Sequence, residues 1–205
     1  MKAVIIQSPV KGTWSFMNPP GHHPDAKDFV AVDNKGLPYH PARLVLHLFY
    51  QLKVTHTYAW DKEVFSPFNG TVVETTNNID DRYRLNLLRD LFKGLIQARR
   101  NKNQEINFFL GNHIIIESDH GIFALLAHLK KGSILVKRGQ HVTGDELIAR
   151  VGNSGNTIQP HLHFQLMAKN DPGTSIPIPF LLASYQLKNQ KKQLEIPNNY
   201  QVFHV

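Results

Sequence analysis

Cysteine is absent from this 205-residue chain. That absence excludes disulfides, thiolate metal sites and cysteine nucleophiles, so any bound metal would rest on imidazole and carboxylate. No apolar run approaches the roughly 18–20 residues that a membrane-spanning helix needs. The Ala3-Val4-Ile5-Ile6 stretch is too short for a signal-peptide core, and no small-residue cleavage site follows it. The expectation is a cytoplasmic chain, unless a signal was removed or export is non-classical. HExxH, GxSxG and the Walker loop are missing too, which leaves helical metalloprotease, serine-hydrolase and P-loop chemistry without support. Negative charge is the scarcer sign: 16 acidic against 23 basic residues, net +7. Such a surface favours an anionic partner. No nucleic-acid motif accompanies it, so nucleic acid is not the expected one.

What is present reads as one β-rich domain. Residues 2–7 suggest a first strand, stopped by Ser8-Pro9. Loop residues follow through Pro24, and Phe29-Val30-Ala31-Val32-Asp33 reads as a short strand ending in a carboxylate. The runs LVLHLFY and THTYAW within 43–60 look β-rich. Residues 82–102 differ in kind: Leu85, Leu88, Phe92, Leu95 and Ile96 recur at helical spacing, among seven Arg/Lys and one Asp. This predicts one amphipathic helix inserted between strands. From Asn112 onward the pattern is again β, with a turn at Asp119-His120-Gly121 and a tight loop at Gly152–Thr157. The expected organisation is a domain over 1–182, with insertions near 34–60 and 77–108, then a C-terminal tail over 183–205.

His161-Leu162-His163 is the most specific local feature. Side chains at i and i+2 of a strand share a face. His161, His163 and Gln165 therefore share one face, and Leu162, Phe164 and Leu166 the other. His128 ends an otherwise apolar strand, and Asp33 ends another, preceded by His22 and His23. One loop histidine, Asp33 and one member of the His-Leu-His pair would supply two imidazoles and a carboxylate. That is a common donor set for a catalytic zinc with an open fourth position. The two remaining histidines could serve as base and electrophilic stabiliser.

The string VGNSGNTIQPHLHFQLM (151–167) resembles the terminal signature of lysostaphin-type zinc endopeptidases, which share the duplicated hybrid motif fold. Upstream, the run from Gly111 to Asn156 is similar to that family's strand, hairpin, His-Leu and glycine-turn order. VFSPFNGTVV resembles its earlier hairpin, and HHPDAKDFVAVD its His…Asp element. The likeness covers roughly residues 20–182, strongest over 64–76 and 111–168. It implies an antiparallel β-sheet or sandwich groove walled by loops. It also implies one Zn2+ per chain and hydrolysis of peptide bonds in peptidoglycan cross-bridges or stem peptides. Carried over by position, His163 and Asp33 would be zinc ligands, and His128 and His161 the non-ligand catalytic pair. The first zinc histidine would be His22 or His23, which stand eleven and ten positions before Asp33 where the family's compact form has H-x-x-x-D. The Asn112 and Asn153/Asn156 loops would be substrate contacts or turn formers.

Three other readings compete. An inactive relative would use the same fold as a binding or regulatory module, typically after losing zinc ligands, whereas here each ligand type has a candidate. A biotinyl or lipoyl carrier would share the glycine-turn hairpins, but no lysine sits in the setting such a carrier needs. A basic nucleic-acid binder would rest on net charge and the 82–102 stretch, with no recognised nucleic-acid motif behind it.

Overall fold

The computed structural model describes residues 2–18, 23–86, 88–89 and 106–205. Its strands are β1 (Val4–Ile6), β2 (Thr13–Met17), β3 (Lys27–Ala31), β4 (Leu52–Lys53), β5 (Glu63–Phe65), β6 (Gly70–Thr76), β7 (Arg84–Leu85) and β8 (Asn112–Ser118). They continue with β9 (Phe123–Leu129), β10 (His141–Val142), β11 (Leu147–Arg150), β12 (Leu162–Met167), β13 (Pro177–Ile178), β14 (Phe180–Leu187), β15 (Gln190–Glu195) and β16 (Val202–His204). Among the described residues the short helices α1 (Leu44–Phe49) and α2 (Ile106–Leu110) accompany them. No helix among the described residues is long and apolar enough to cross a membrane.

One large sheet runs β1-β14-β16-β2-β3-β12-β9-β8-β6-β10. Its pairings are antiparallel from β14 through β10, but β1 lies parallel to β14, so the sheet is mixed rather than wholly antiparallel. Residues 183–205 are part of this sheet: β14, β15 and β16 are strands of it, and the position 182/183 falls inside β14.

Alternation along each strand decides which face is core. Leu162, Phe164 and Leu166 of β12 point the same way as Phe29 and Ala31 of β3 and Trp14 and Phe16 of β2, and all are buried. Their rings interlock edge to face: Phe16–Phe29 at 4.6 Å, Phe29–Phe164 at 6.0 Å and Phe164–Phe180 at 5.0 Å between centroids. The small sheet β5–β11 closes over this core, since Val64, Ile148 and Ala149 belong to the same cluster. The opposite face carries the polar residues of β12 and β3.

Two local readings give way to tertiary context. LVLHLFY forms the helix α1, not a strand: Pro41 opens a preceding helical turn, and His47 is drawn inward to bond the Tyr39 hydroxyl at 2.7 Å. Leu85, read as the first apolar position of a helix over 82–102, lies in strand β7 opposite Leu52. There it packs fully buried with Val54 and Tyr39. Residues 87 and 90–102 of that expected helix lie outside the described residues. Helix α2 follows them and sets Leu110 against Ile115, Leu125, Ala127 and Met167.

Candidate active site

The site grows out of register. On β12, His163 sits directly opposite Asp28 of β3 and Ala127 of β9. Asp28 is buried, and its Oδ1 accepts a 2.8 Å hydrogen bond from His163 Nδ1. His161, two residues back along the same face, brings Nε2 to 3.6 Å from that oxygen. The third imidazole comes from β9 by a bulge. Three residue steps along β9, from Leu126 to Leu129, are matched by two along β8, from Ile114 to Asn112. One extra residue is thereby accommodated, and bulges of this kind re-aim a side chain. Leu126 and Leu129 both stay in the core, and His128 adopts a left-handed φ of 61°. Its ring then lies 4.7 Å from that of His161 and 6.0 Å from that of His163, centroid to centroid. A non-glycine residue held in that region stores strain of a kind that clusters at functional sites.

Hydrogen bonds at the far nitrogens set each ring. His128 Nδ1 donates to the Ser154 carbonyl at 3.0 Å, and His161 Nδ1 donates to the Gln159 carbonyl at 2.8 Å. Both neutral rings then present an Nε2 lone pair. His161 Nε2 is buried and has no hydrogen-bond partner. Burial, with the neighbouring charges of His161 and His163, pushes the His128 pKa well below its ordinary value. Burial also opposes a charge on His163, but the bond to Asp28 and its charge, helped by Gln165, prevail and raise its pKa.

Loops brace the site from behind. Ser154 Oγ accepts from Asn112 N and donates to the Leu129 carbonyl. The Asn112 amide donates to the carbonyls of Ile79 and Leu129. Asp81 accepts from the backbone of Asn153 at 2.7 Å and of Lys131 at 2.8 Å. Asn112 and Asn153 are both fully buried, so they hold the loops together and do not face a substrate, whereas Asn156 is exposed. Gly111, at φ +63°, passes so close to this loop that a Cβ would stand 2.5 Å from the Ser154 carbonyl carbon.

Asp33 is the correction. It lies five residues beyond Asp28, about 16 Å along an extended chain, past the end of β3. Its Oδ1 is taken up in a turn, accepting from Lys35 N at 2.8 Å and Leu37 N at 2.9 Å. The carboxylate that meets the histidines is Asp28. A strand begun at Phe29 points to the acidic residue after it, whereas β3 begins at Lys27 and contains the one before. The signal was available, because Asp28 shares a face with Val30 and Val32 inside an apolar run. His23 is exposed beside Asp25, accepting from its backbone at 3.2 Å. His22 lies outside the described residues.

The donor chemistry fits zinc. Asp28 and His163 supply one carboxylate oxygen and one imidazole nitrogen 2.8 Å apart. Two donors on one tetrahedral ion stand about 3.3 Å apart, given bonds near 2.0 Å. His161 Nε2, which has no hydrogen-bond partner, lies 3.6 Å from the same Asp28 oxygen. Among the described residues no three His, Asp or Glu side chains are gathered tightly enough to hold a metal. Asp28 and His163 bond to each other, and His23 turns toward Asp25.

Residues 91–174 match Peptidase family M23. That match takes in less than half of the chain. The matched stretch includes His128, His161 and His163, while Asp28 precedes it. Over 85 residues the chain is 32% identical to the peptidoglycan DD-endopeptidase ShyA of Vibrio cholerae, covering 42% of this chain and 19% of that protein. The chain thus spans about a fifth of that relative's length. Among solved structures, a zinc containing peptidase from Vibrio cholerae aligns with a TM-score of 0.44 at 21% identity, over 86% of this chain and 39% of that one. The catalytic domain of lysostaphin from Staphylococcus simulans aligns with a TM-score of 0.44 at 17% identity, over 82% and 88%.

Proposed function

We propose that this chain is a zinc-dependent metallo-endopeptidase of the M23 kind that hydrolyses peptide bonds in peptidoglycan cross-bridges or stem peptides. One observation carries the reading: a buried carboxylate and three imidazoles converge on one sheet face, with His161 Nε2 left unpartnered among them. Asp28 and His163 would hold the ion, with His22 or His23 as the third ligand. When bound, zinc supplies Lewis acidity and brings the pKa of a coordinated water toward about 7.

The chain's own residues do the rest. His128, kept neutral by burial and fixed by Ser154, takes a proton at Nε2. His161, anchored at Nδ1 by Gln159 and close to the Asp28 carboxylate, donates from Nε2 to the developing oxyanion once it is protonated. The net charge of +7 suits an anionic wall polymer. The relative ShyA is a peptidoglycan DD-endopeptidase, which points to the same substrate class.

Purified zinc-loaded protein should release muropeptides from isolated sacculi, read by mass spectrometry. His163→Ala should lose the metal. His128→Ala should keep it yet lose about 10²–10⁴-fold in turnover. A wild type that binds no zinc, or a His128→Ala protein with normal turnover, refutes the enzyme reading and leaves a binding module.

A further inference from the structure

We propose that an apolar pocket beside Asp28, completed by Tyr200 from the turn between β15 and β16, is a subsite that selects an uncharged aliphatic side chain next to the scissile bond. The inference rests on the peptidase reading and sharpens it.

The pocket lies on the face that carries the site. His163, Asp28 and Met17 stand in one row across β12, β3 and β2, each paired with the next. Strands are about 4.8 Å apart, so Met17 is the immediate neighbour of Asp28. Val30 and Val32 follow Asp28 at alternate positions and hence share its face. Together with Ile158, Gln159 and Tyr200 these side chains line a cavity of about 280 Å³. Gln159 ties the cavity to the chemistry, since its carbonyl anchors His161 Nδ1 and its side-chain amide reaches Met17 Sδ at 3.5 Å.

The direction is set by what is closed. On the other side of the site, Leu110 of α2 packs on Leu125, Ala127 and Met167, which are fully buried. A peptide leaving Asp28 and His163 is therefore directed toward β3 and β2, where the cavity lies. No charged side chain among the described residues lines the cavity. A carboxylate or ammonium would be desolvated there without a partner, whereas an aliphatic chain of alanine to leucine size gains from burial.

Tyr200 completes the wall. It is 67% exposed, with φ at 63°. Its backbone is pinned by donation to the Phe16 carbonyl at 2.8 Å. It also lies beyond the residues matched to the peptidase family. An exposed aromatic ring in a left-handed backbone at the rim of an apolar cavity is costly to maintain unless the ring is needed there.

Two measurements test the subsite. In the first, zinc-loaded protein labelled with ¹⁵N is titrated with N-acetyl-leucine amide, N-acetyl-alanine amide and N-acetyl-aspartate amide. Leucine should shift the amides of Val30, Val32 and Tyr200 at concentrations roughly tenfold lower than alanine requires, and aspartate should leave them in place. In the second, peptides differing only at the position beside the cleaved bond are compared by kcat/KM. Leucine should exceed glycine by about tenfold or more, and Tyr200→Ala and Ile158→Glu should each collapse that ratio toward unity. Equal shifts with leucine and aspartate, or a leucine-to-glycine ratio untouched by both substitutions, overturn the subsite. Cleavage without aliphatic preference sinks the subsite and leaves the peptidase standing. Leucine seated at Val30 and Tyr200 with no peptide cut sinks the peptidase and leaves the subsite standing.

Discussion

Replacing Asp28 by Asn changes one oxygen to an amide nitrogen in a buried place. The Asp28 and His163 side chains are only 4% and 13% exposed. The hydrogen bond between them is charge-assisted, and such a bond contributes about 1.5–3 kcal/mol. Metal-free Asp28→Asn should therefore lose stability of that order. For a chain of this length each kcal/mol lowers Tm by about 2–4 °C. The effect on zinc should be larger. Losing a side chain that only orients a metal ligand costs about 10–100-fold in metal affinity, and loss of a direct ligand should exceed that. The control is Asp33→Ala. It removes two backbone hydrogen bonds from an exposed turn, at about 0.5–1.5 kcal/mol each, and should leave zinc in place. Both proteins would be dialysed against trace zinc, assayed for metal by atomic absorption, and titrated against a competing chelator. A zinc-replete Asp28→Asn beside a zinc-free Asp33→Ala would refute the assignment of Asp28 and restore Asp33.

Phe164→Ala should cost about 3–5 kcal/mol, because the ring is fully buried with edge contacts to Phe29 and Phe180; the urea midpoint reads it directly, and a shift below 1 kcal/mol would mean that the core is not packed as described. Gly111→Ala must push the Gly152–Thr157 loop away, since the new Cβ would meet Ser154 and Gly155 backbone within 2.6 Å; proteolysis should cut that loop faster while leaving β14–β16 resistant. His128→Gly should be more stable than His128→Ala in chemical denaturation: relief of the left-handed conformation gives about 1–2 kcal/mol, offset by about 0.4–1 kcal/mol of unfolded-chain entropy. A more stable alanine variant would contradict the strained geometry at position 128.

The sheet was legible where alternation and burial agree. In β12, Leu162, Phe164 and Leu166 alternate with His161, His163 and Gln165, so a one-residue slip would expose the core. The histidines of that strand could be found for the same reason. His128 could be singled out as an oddity at the end of an apolar strand, but the bulge that turns it toward His161 depends on pairing with β8, which no local pattern encodes. The exchange of Asp28 for Asp33 has a similar origin. Both are acidic residues beside the run Phe29–Val32, and only the pairing of β3 with β12 distinguishes the one facing His163 from the one capping a turn. LVLHLFY failed as a strand because a short apolar run has no decisive period. Its outcome was set by Pro41 and by Tyr39 holding His47.

The three histidines divide into two kinds by what holds their Nδ1 atoms. His128 and His161 give Nδ1 to main-chain carbonyls of Ser154 and Gln159, which belong to the loop between β11 and β12. Carbonyls accept only, so both rings are locked with Nε2 toward the site. His163 instead gives Nδ1 to a carboxylate from another strand, Asp28. An imidazole whose Nδ1 already meets an anionic oxygen is placed to share a cation with it, and an imidazole whose Nδ1 is spent on the backbone is placed to move protons through its other nitrogen. The loop that fixes the two proton-handling rings is in turn fixed by Asn112, Asp81 and the close passage of Gly111. Positions that touch no substrate thus determine where both Nε2 atoms point. A substitution at Asp81 or Gly111 should therefore lower turnover while the Asp28–His163 pair, held by strand register alone, keeps its place.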